Sequence, residues 1–455
     1  MSSGTLAQPL EGTDPAALRM EKFVIDGGVP LSGTIAAAGN KNAALPALAA
    51  SLLTEEEVVL RNVPRIRDVE AMLDLLAGLG VKVEWREDNV VALNAARATS
   101  SEVDPDLAFR IRASFLLAGP LIARFGRADM PPPGGDVIGR RRLDPHLDAL
   151  RALGADVQPA TEGDRWYRLT APNGLKPCDF FLDEPSVMAT ENALMAAALT
   201  PGSTVIHNAA SEPHVQDLAR LLLQMGADIE GIGSNVLLVH GRERLGGADY
   251  TIGPDYIEVA SFIALAAVTG GELRIKDAPC EDLRMTRLVF ARVGCRMEFD
   301  GSDIVVPPGQ RLRVKSDHGD AISKIEDGPW PAFPADLTSI ALALATQADG
   351  MVLIFEKMFE NRLFFVDKLV NMGARVLLCD PHRAVVNGPS RLHGARMESP
   401  DIRAGMALLI AALCATGESE IGNVRQIDRG YERIDERLRS LGARIERVPA
   451  ERVPA

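Results

Sequence analysis

An α/β protein of two domains, each an inside-out α/β barrel of three repeated units, is the architecture this sequence predicts. Three observations carry that expectation. The chain has 455 residues, too many for a single core. A short phrase, a helical leucine pattern closed by a glycine and then alternating apolar residues, recurs six times at intervals of roughly 70 residues, the spacing of repeated supersecondary units. Each occurrence follows an alanine-rich helical stretch and a short strand, so a unit reads helix, strand, helix, strand.

In chain order, residues 1–19 read as a flexible polar extension ahead of the first strand, "MEKFVIDGG". The first unit holds "NAALPALAASLLTEEEVVLRNV" and closes with "LLAGLGVKVEW" at Gly80. The second holds "RIRASFLLAGPLIARFG" and closes with "LRALGADVQ" at Gly154, and the third holds "ATENALMAAALTPGSTVIHNA" and closes with "LLQMGADIEG" at Gly226. "IEVASFIALAAVTGGELRIKDA" leads to "FARVGCRMEF" at Gly294, "LTSIALALA" to "LVNMGARVLL" at Gly373, and "GMALLIAALCATGESEIGNV" to "LRSLGARIERV" at Gly442. Each glycine stands where a helix must end in a left-handed residue before the period changes to two. Alanine-rich helices pack closely, which puts them inside and the sheets outside. The assigned boundaries are 41–252 for the first lobe, with a loop at 127–147, and 20–40 plus 253–455 for the second. The terminal "ERVPAERVPA" reads as a frayed end.

Composition narrows the function. A net charge of −13 argues against nucleic acid and anionic membranes as partners, so any anion must be held by a local cation cluster. The five cysteines are scattered without CxxC spacing and the seven histidines show no HxxxH or HExxH pattern, so no metal is expected. No apolar run reaches membrane-spanning length and no leader pattern is read at the N-terminus, so the expected location is the cytoplasm.

Polar residues open the inner helices: Lys41 and Asn42, Arg110 and Arg112, Ser186, Asp255, Asp336, and Asp401 with Arg403. Threefold packing would gather these helix starts on one surface per lobe, where backbone N–H groups and the dipole favour phosphates. Between the second unit's helices runs "PPPGGDVIGRRRLD", which sets the carboxylate of Asp136 between two glycines and three arginines. A carboxylate in an anion-binding loop is out of place unless it handles a proton.

The segments "GNKNAALPALAASLL", "RIRASFLLAGPLIARFG", "PPGGDVIGRRRLDPHL", "NAASEP", "GPDYIE", "FPADL", "FENRLFFVDKL", "DIRAGMALLIA" and "IDRGYERIDERLRSLGA" resemble, in order and over nearly the whole chain, the enolpyruvyl transferase family in its nucleotide-sugar branch. The resemblance implies transfer of the enolpyruvyl group of phosphoenolpyruvate to the 3-hydroxyl of the sugar of UDP-N-acetylglucosamine, with release of phosphate and no cofactor. Such chemistry needs a base at the hydroxyl, an acid at the methylene carbon, and cations for a phosphate and a carboxylate.

By that resemblance Lys41, Asn42, Arg141, Arg362, Arg403 and Arg429 bind phosphoenolpyruvate, and Arg112, Arg141, Arg142, Leu143, Asp144, Pro145, Ser186, Val187, Asp336 and Met358 bind the nucleotide sugar. Asp336 is the expected base, Asp136 the proton donor, and Lys41 and Arg429 complete the catalytic set; Glu212 and Asp255 are expected to line the site or its hinge. Each arginine alone would more often be a surface ion pair, and Asp336 also suits a helix cap. The chain departs from the family at Asp136, where cysteine is usual, which implies insensitivity to the epoxide fosfomycin. It departs again at Arg142, usually proline, and at Glu184, where many relatives carry lysine near the diphosphate. Two rival readings remain: transfer to another acceptor such as shikimate 3-phosphate, and a silent UDP-sugar-binding paralogue.

Overall fold

The computed structural model describes residues 21–161 and 164–450; the extension read at 1–19 lies outside them. Six small sheets surround buried helices. In five sheets one pattern repeats: a linking strand runs parallel to the unit's first strand, followed by two antiparallel strands. In the first unit Ala248–Thr251 pairs parallel with Glu57–Arg61, which pairs antiparallel with Val90–Asn94, itself paired with Lys82–Glu87. The same order holds for Gly33–Ala36, Leu273–Lys276, Asp303–Val306 and Glu298–Asp300. The second unit's sheet has three strands, Arg127–Met130, Tyr167–Thr170 and Asp156–Gln158, and its linking strand shrinks to a single parallel bridge, Glu102 to Asp129.

All six repeat glycines hold positive φ, between +82° and +99°, directly after the outer helices Arg67–Gly78, Asp144–Ala152, Pro213–Gln224, Arg284–Arg292, Val366–Asn371 and Ile434–Ser440. The inner helices are buried on every side. In Thr338–Ala345 all eight residues are buried, and in Tyr256–Thr269 and Ile402–Cys414 all but one or two. Alanine at so many of these positions lets neighbouring helix backbones approach, and the sheets cover them outside.

Apolar burial falls into two clusters. One gathers residues from Ala43 to Ile252; the other joins Phe23–Ile35 to residues from Tyr256 to Ile445. The chain crosses between them twice, side by side: the amide of Asn40 donates to the carbonyl of Gly253 at 2.8 Å, and the amide of Asp255 to the carbonyl of Ala38 at 2.8 Å. The C-terminal reading needs correction. Glu446–Pro449, the first copy of the repeated tail, lies in the strand Arg444–Pro449, paired antiparallel with Glu21–Asp26. That strand alternates buried and exposed residues through Arg444–Glu446, as an edge on a core must; the second tail copy lies outside the described residues.

Candidate active site

Between the two clusters lies a cavity of about 260 Å³. Lys41, Asn42, Arg112, Asp136, Arg141 and Val187 line it from one lobe, and Asp336, Met358, Arg362, Arg403 and Arg429 from the other. Lys41 is the first residue of the helix Lys41–Ala50, capped by the side chain of Asn40, which accepts from the amides of Asn42 and Ala43. Asp401 caps Ile402–Cys414 in the same way and so fixes where Arg403 emerges. Ser186 caps Val187–Ala198, and Asp255 caps Tyr256–Thr269 while also accepting from the Lys41 amide at 3.4 Å. Asp255 thus stands at the crossing of the two chain segments.

Asp336 is no cap, contrary to one expectation. It lies in the 3-10 turn Ala335–Leu337, and its oxygens accept from Arg362 and Arg403 at 3.0 Å each. Burial works to raise its pKa, but the charges of Arg403, Arg362 and Lys41 outweigh that and hold it well below the usual carboxylate range. Asp336 is therefore ionised and open to the cavity. Arg403 also donates to the Tyr431 hydroxyl at 3.3 Å. Arg362 is buried near Glu356, whose carboxyl burial pushes up to about 8 against the opposing charge of Arg362.

A second carboxylate joins the lobes. Asp68, on the helix Arg67–Gly78, accepts from Lys41 Nζ at 3.0 Å and from Arg429 Nε at 2.8 Å; Arg429 in turn donates to Asp136. The side chain of Asp68 is 5 % exposed. Burial would raise its pKa, and the charges of Lys41 and Arg429 lower it overall. Asp68 was absent from the expected set, because "RIRDVEAM" reads as the acidic first turn of an ordinary amphipathic helix.

The loop carrying Asp136 touches both lobes. The carbonyl of Ile138 accepts from the Asn361 amide at 3.0 Å, and the Arg140 amide donates to Glu360 at 3.1 Å. Gly139 makes this approach feasible: its φ is +144°, and a Cβ there would stand 2.1 Å from a Glu360 carboxylate oxygen. Arg112 donates to the carbonyls of Arg141 and Arg142, and burial together with the charge of Arg141 pulls its pKa down to about 10. Arg141 has no side-chain hydrogen bond among the described residues, so its guanidinium remains available to a ligand.

Other expected residues lie outside the cavity lining. Arg142 turns outward to Asp183 at 2.9 Å, Asp144 at 3.4 Å and Glu184 at 3.8 Å. Glu184 is thereby engaged at the surface. Leu143, Asp144 and Pro145 form the entry to the helix Asp144–Ala152, and Ser186 serves its cap while its neighbour Val187 reaches the cavity. Glu212 lines the cavity beside Glu191 and His214.

Chemically, six cationic side chains around so small a space suit a compact polyanion, with one ionised carboxylate beside it and another across it. Two lobes of inner helices and outer sheets closing on such a cleft define the enolpyruvyl transferases, and the chain belongs to that family. The family model described as EPSP synthase (3-phosphoshikimate 1-carboxyvinyltransferase) matches residues 25–438. A protein of Bradyrhizobium diazoefficiens named UDP-N-acetylglucosamine 1-carboxyvinyltransferase is 57 % identical over 94 % of this chain and 98 % of its own. One of the same name from Treponema denticola is 55 % identical over 94 % and 99 %. Among solved structures, the enolpyruvyl transferase NikO from Streptomyces tendae superposes with a TM-score of 0.83 at 26 % identity, covering 95 % of this chain and all of its own. EPSP synthase from Acinetobacter baumannii shares the fold, with a TM-score of 0.72 at 19 % identity over 94 % of this chain and all of its own. Among the described residues no helix is long and apolar enough to cross a membrane.

Proposed function

We propose that the protein transfers the enolpyruvyl group of phosphoenolpyruvate to the 3-hydroxyl of the sugar of UDP-N-acetylglucosamine, the first committed step of peptidoglycan synthesis. The observation that carries this reading is the set of cations that both lobes turn into one cavity around the ionised Asp336. Lys41 and Arg141 hold the phosphate, while Arg362, Arg403 and Arg429 grip the rest of the anion through paired N–H donors. Asn42, Arg112, Val187 and Met358 border the acceptor, and Arg142 to Pro145 with Ser186 form the outer rim where the nucleotide lies.

Asp336 takes the proton of the acceptor hydroxyl as its oxygen bonds to C2 of phosphoenolpyruvate. The C2–C3 electron pair takes a proton from Asp136, which leaves a tetrahedral phosphoketal with a methyl group. The Asp136 carboxylate takes a methyl proton back, which restores the C2–C3 double bond as the C2–O bond to phosphate breaks, and the proton held by Asp336 passes to the departing phosphate; the products are the enol ether and phosphate. Arg429 donates to Asp136 and also faces the substrate, so an incoming phosphate competes with Asp136 for that guanidinium. The loop contacts to Glu360 and Asn361 keep water from the tetrahedral species while it forms. Fosfomycin, which alkylates a thiolate in cysteine-bearing relatives, meets none here: none of the five cysteines lines the cavity.

Phosphate release from phosphoenolpyruvate, measured with UDP-N-acetylglucosamine, with shikimate 3-phosphate and with no acceptor, tests the reading. Release confined to the first mixture supports it. Release with shikimate 3-phosphate alone, or with none, overturns it.

A further inference from the structure

The cavity is not uniformly cationic. Within reach of the charges of Asp336 and Arg403, the helix Val187–Ala198 and the start of Pro213–Gln224 present Glu191, Glu212 and His214, three polar side chains that the mechanism above does not use. Glu191 is 1 % exposed and His214 5 %. Each of the three keeps one buried polar atom without a partner: Glu191 Oε1, Glu212 Oε2 and His214 Nδ1. Orphaned atoms of this kind are costly in a folded interior, and three on one wall of a cavity mark the place where a ligand completes them. His214 lies stacked over Tyr256 with ring centroids 6.5 Å apart and an interplanar angle of 7°, and Tyr256 in turn packs on Trp330, so the ring has no freedom to turn away.

The chemistry of this wall differs from that of the arginine end. Neither glutamate has a cationic partner among the described ion pairs. Burial, reinforced by the charge of Glu212, raises the Glu191 pKa far above its ordinary value, and burial raises that of Glu212 against the backbone amides that bond it. Burial brings the His214 pKa down to about 4, so the ring is neutral. Carboxyls held toward the protonated form and a neutral imidazole offer a phosphate no cation and suit groups that both give and take hydrogen bonds without charge. The hydroxyls and amide of a hexosamine ring are such groups.

We infer that Glu191, Glu212 and His214 form the specificity wall for the acceptor: they bind the uncharged hydroxyl and amide groups of its ring and exclude phosphorylated rings. The inference rests on the proposed reaction and deepens it. It concerns which sugar is accepted, whereas Asp336 and the arginines concern how the bond is made. A site built to satisfy buried polar atoms rejects a ring that leaves them unpaired, so the wall discriminates by hydroxyl geometry.

Steady-state phosphate release by the full chain and by Glu191→Leu and His214→Asn, with UDP-N-acetylglucosamine, its 4-epimer and UDP-glucose as acceptors, tests this. Glu191→Leu removes both oxygens at similar side-chain volume, and His214→Asn provides a second, independent route should the first variant fold poorly, as thermal unfolding will show. In the folded variants the KM for UDP-N-acetylglucosamine rises about tenfold, the size of one lost neutral hydrogen bond, while the KM for phosphoenolpyruvate stays within about twofold. The preference over at least one of the two other sugars shrinks by about the same factor. Unchanged acceptor KM and unchanged sugar preference, or equal rises in both KM values, overturn the inference while leaving the reaction standing. A parent enzyme that turns over none of the three sugars overturns the reaction, and the inference falls with it.

Discussion

Replacing Asp68 with asparagine probes the cross-lobe connection most sharply. The carboxylate is nearly inaccessible and lies 3.0 Å from Lys41 and 2.8 Å from Arg429, one from each lobe. At an effective dielectric constant of about 20 each such contact is worth about 5–6 kcal/mol before the desolvation that offsets it. Removing one member of a buried ion pair costs about 3–5 kcal/mol, and the cavity's opening to solvent puts this case near 3. For lobes of this size that corresponds to a fall in the unfolding midpoint of roughly 6–12 °C. Phosphoenolpyruvate should restore more of the midpoint in the variant than in the parent, since the anion supplies the charge that was removed. Asp68 is a positioning residue, so kcat should fall about a hundredfold, the effect of a misplacement of about 1 Å, while the KM for phosphoenolpyruvate moves less than tenfold. Differential scanning calorimetry and a phosphate-release assay measure both. A midpoint within 2 °C of the parent, about the shift of half a kcal/mol, together with kcat within twofold, would refute the reasoning.

Asp336→Asn removes the base and frees Arg362 and Arg403, so kcat should drop about a thousandfold without a rise in the KM for phosphoenolpyruvate; a raised KM with intact kcat would contradict that. Asp136→Cys places a thiol where the parent has none, so mass spectrometry should show one fosfomycin adduct on the variant and none on the parent. The ring of His146 is buried, accepts at Nδ1 from Asn192 at 2.8 Å, and has its pKa brought down to about 3 by burial and then by the charges of Arg112 and Arg141. Below about pH 6.5 the unfolded chain binds a proton that the folded one refuses, so stability falls as pH drops, by about 1.4 kcal/mol per unit until the folded value is reached. Urea midpoints at pH 7 and pH 5 should therefore differ less in His146→Asn than in the parent.

The repeats were readable because their punctuation is chemical. A glycine forced into positive φ at Gly80, Gly154, Gly226, Gly294, Gly373 and Gly442 leaves a mark in the sequence wherever it recurs. The inner helices were readable as alanine-rich runs for a similar reason, since small side chains are what close packing demands. Partnership across long separations was not. Asp68 and Arg429 are 361 residues apart, and nothing local distinguishes Asp68 from any acidic helix start. Asp336 could be picked as a residue, yet its local context indicated a cap, and only folding brings it Arg362 and Arg403. Arg142 read as part of a basic run facing substrate, whereas Asp183 and Asp144 draw it outward. Glu191 does leave a sign in the sequence: "ATENALMAAA" sets a carboxylate inside a helix rich in alanine and suited to burial. A charge in such a position calls for a partner, and the described residues supply none to its Oε1.

A crystal structure of the protein soaked with phosphoenolpyruvate tests the central claim most directly. One molecule should lie with its phosphate within about 3 Å of Lys41 and Arg141 from one lobe and its remaining oxygens against Arg403, Arg362 or Arg429 from the other. Density for the ligand on a single lobe, with the guanidinium groups of the opposite lobe still turned to their carboxylates and out of reach, would contradict it.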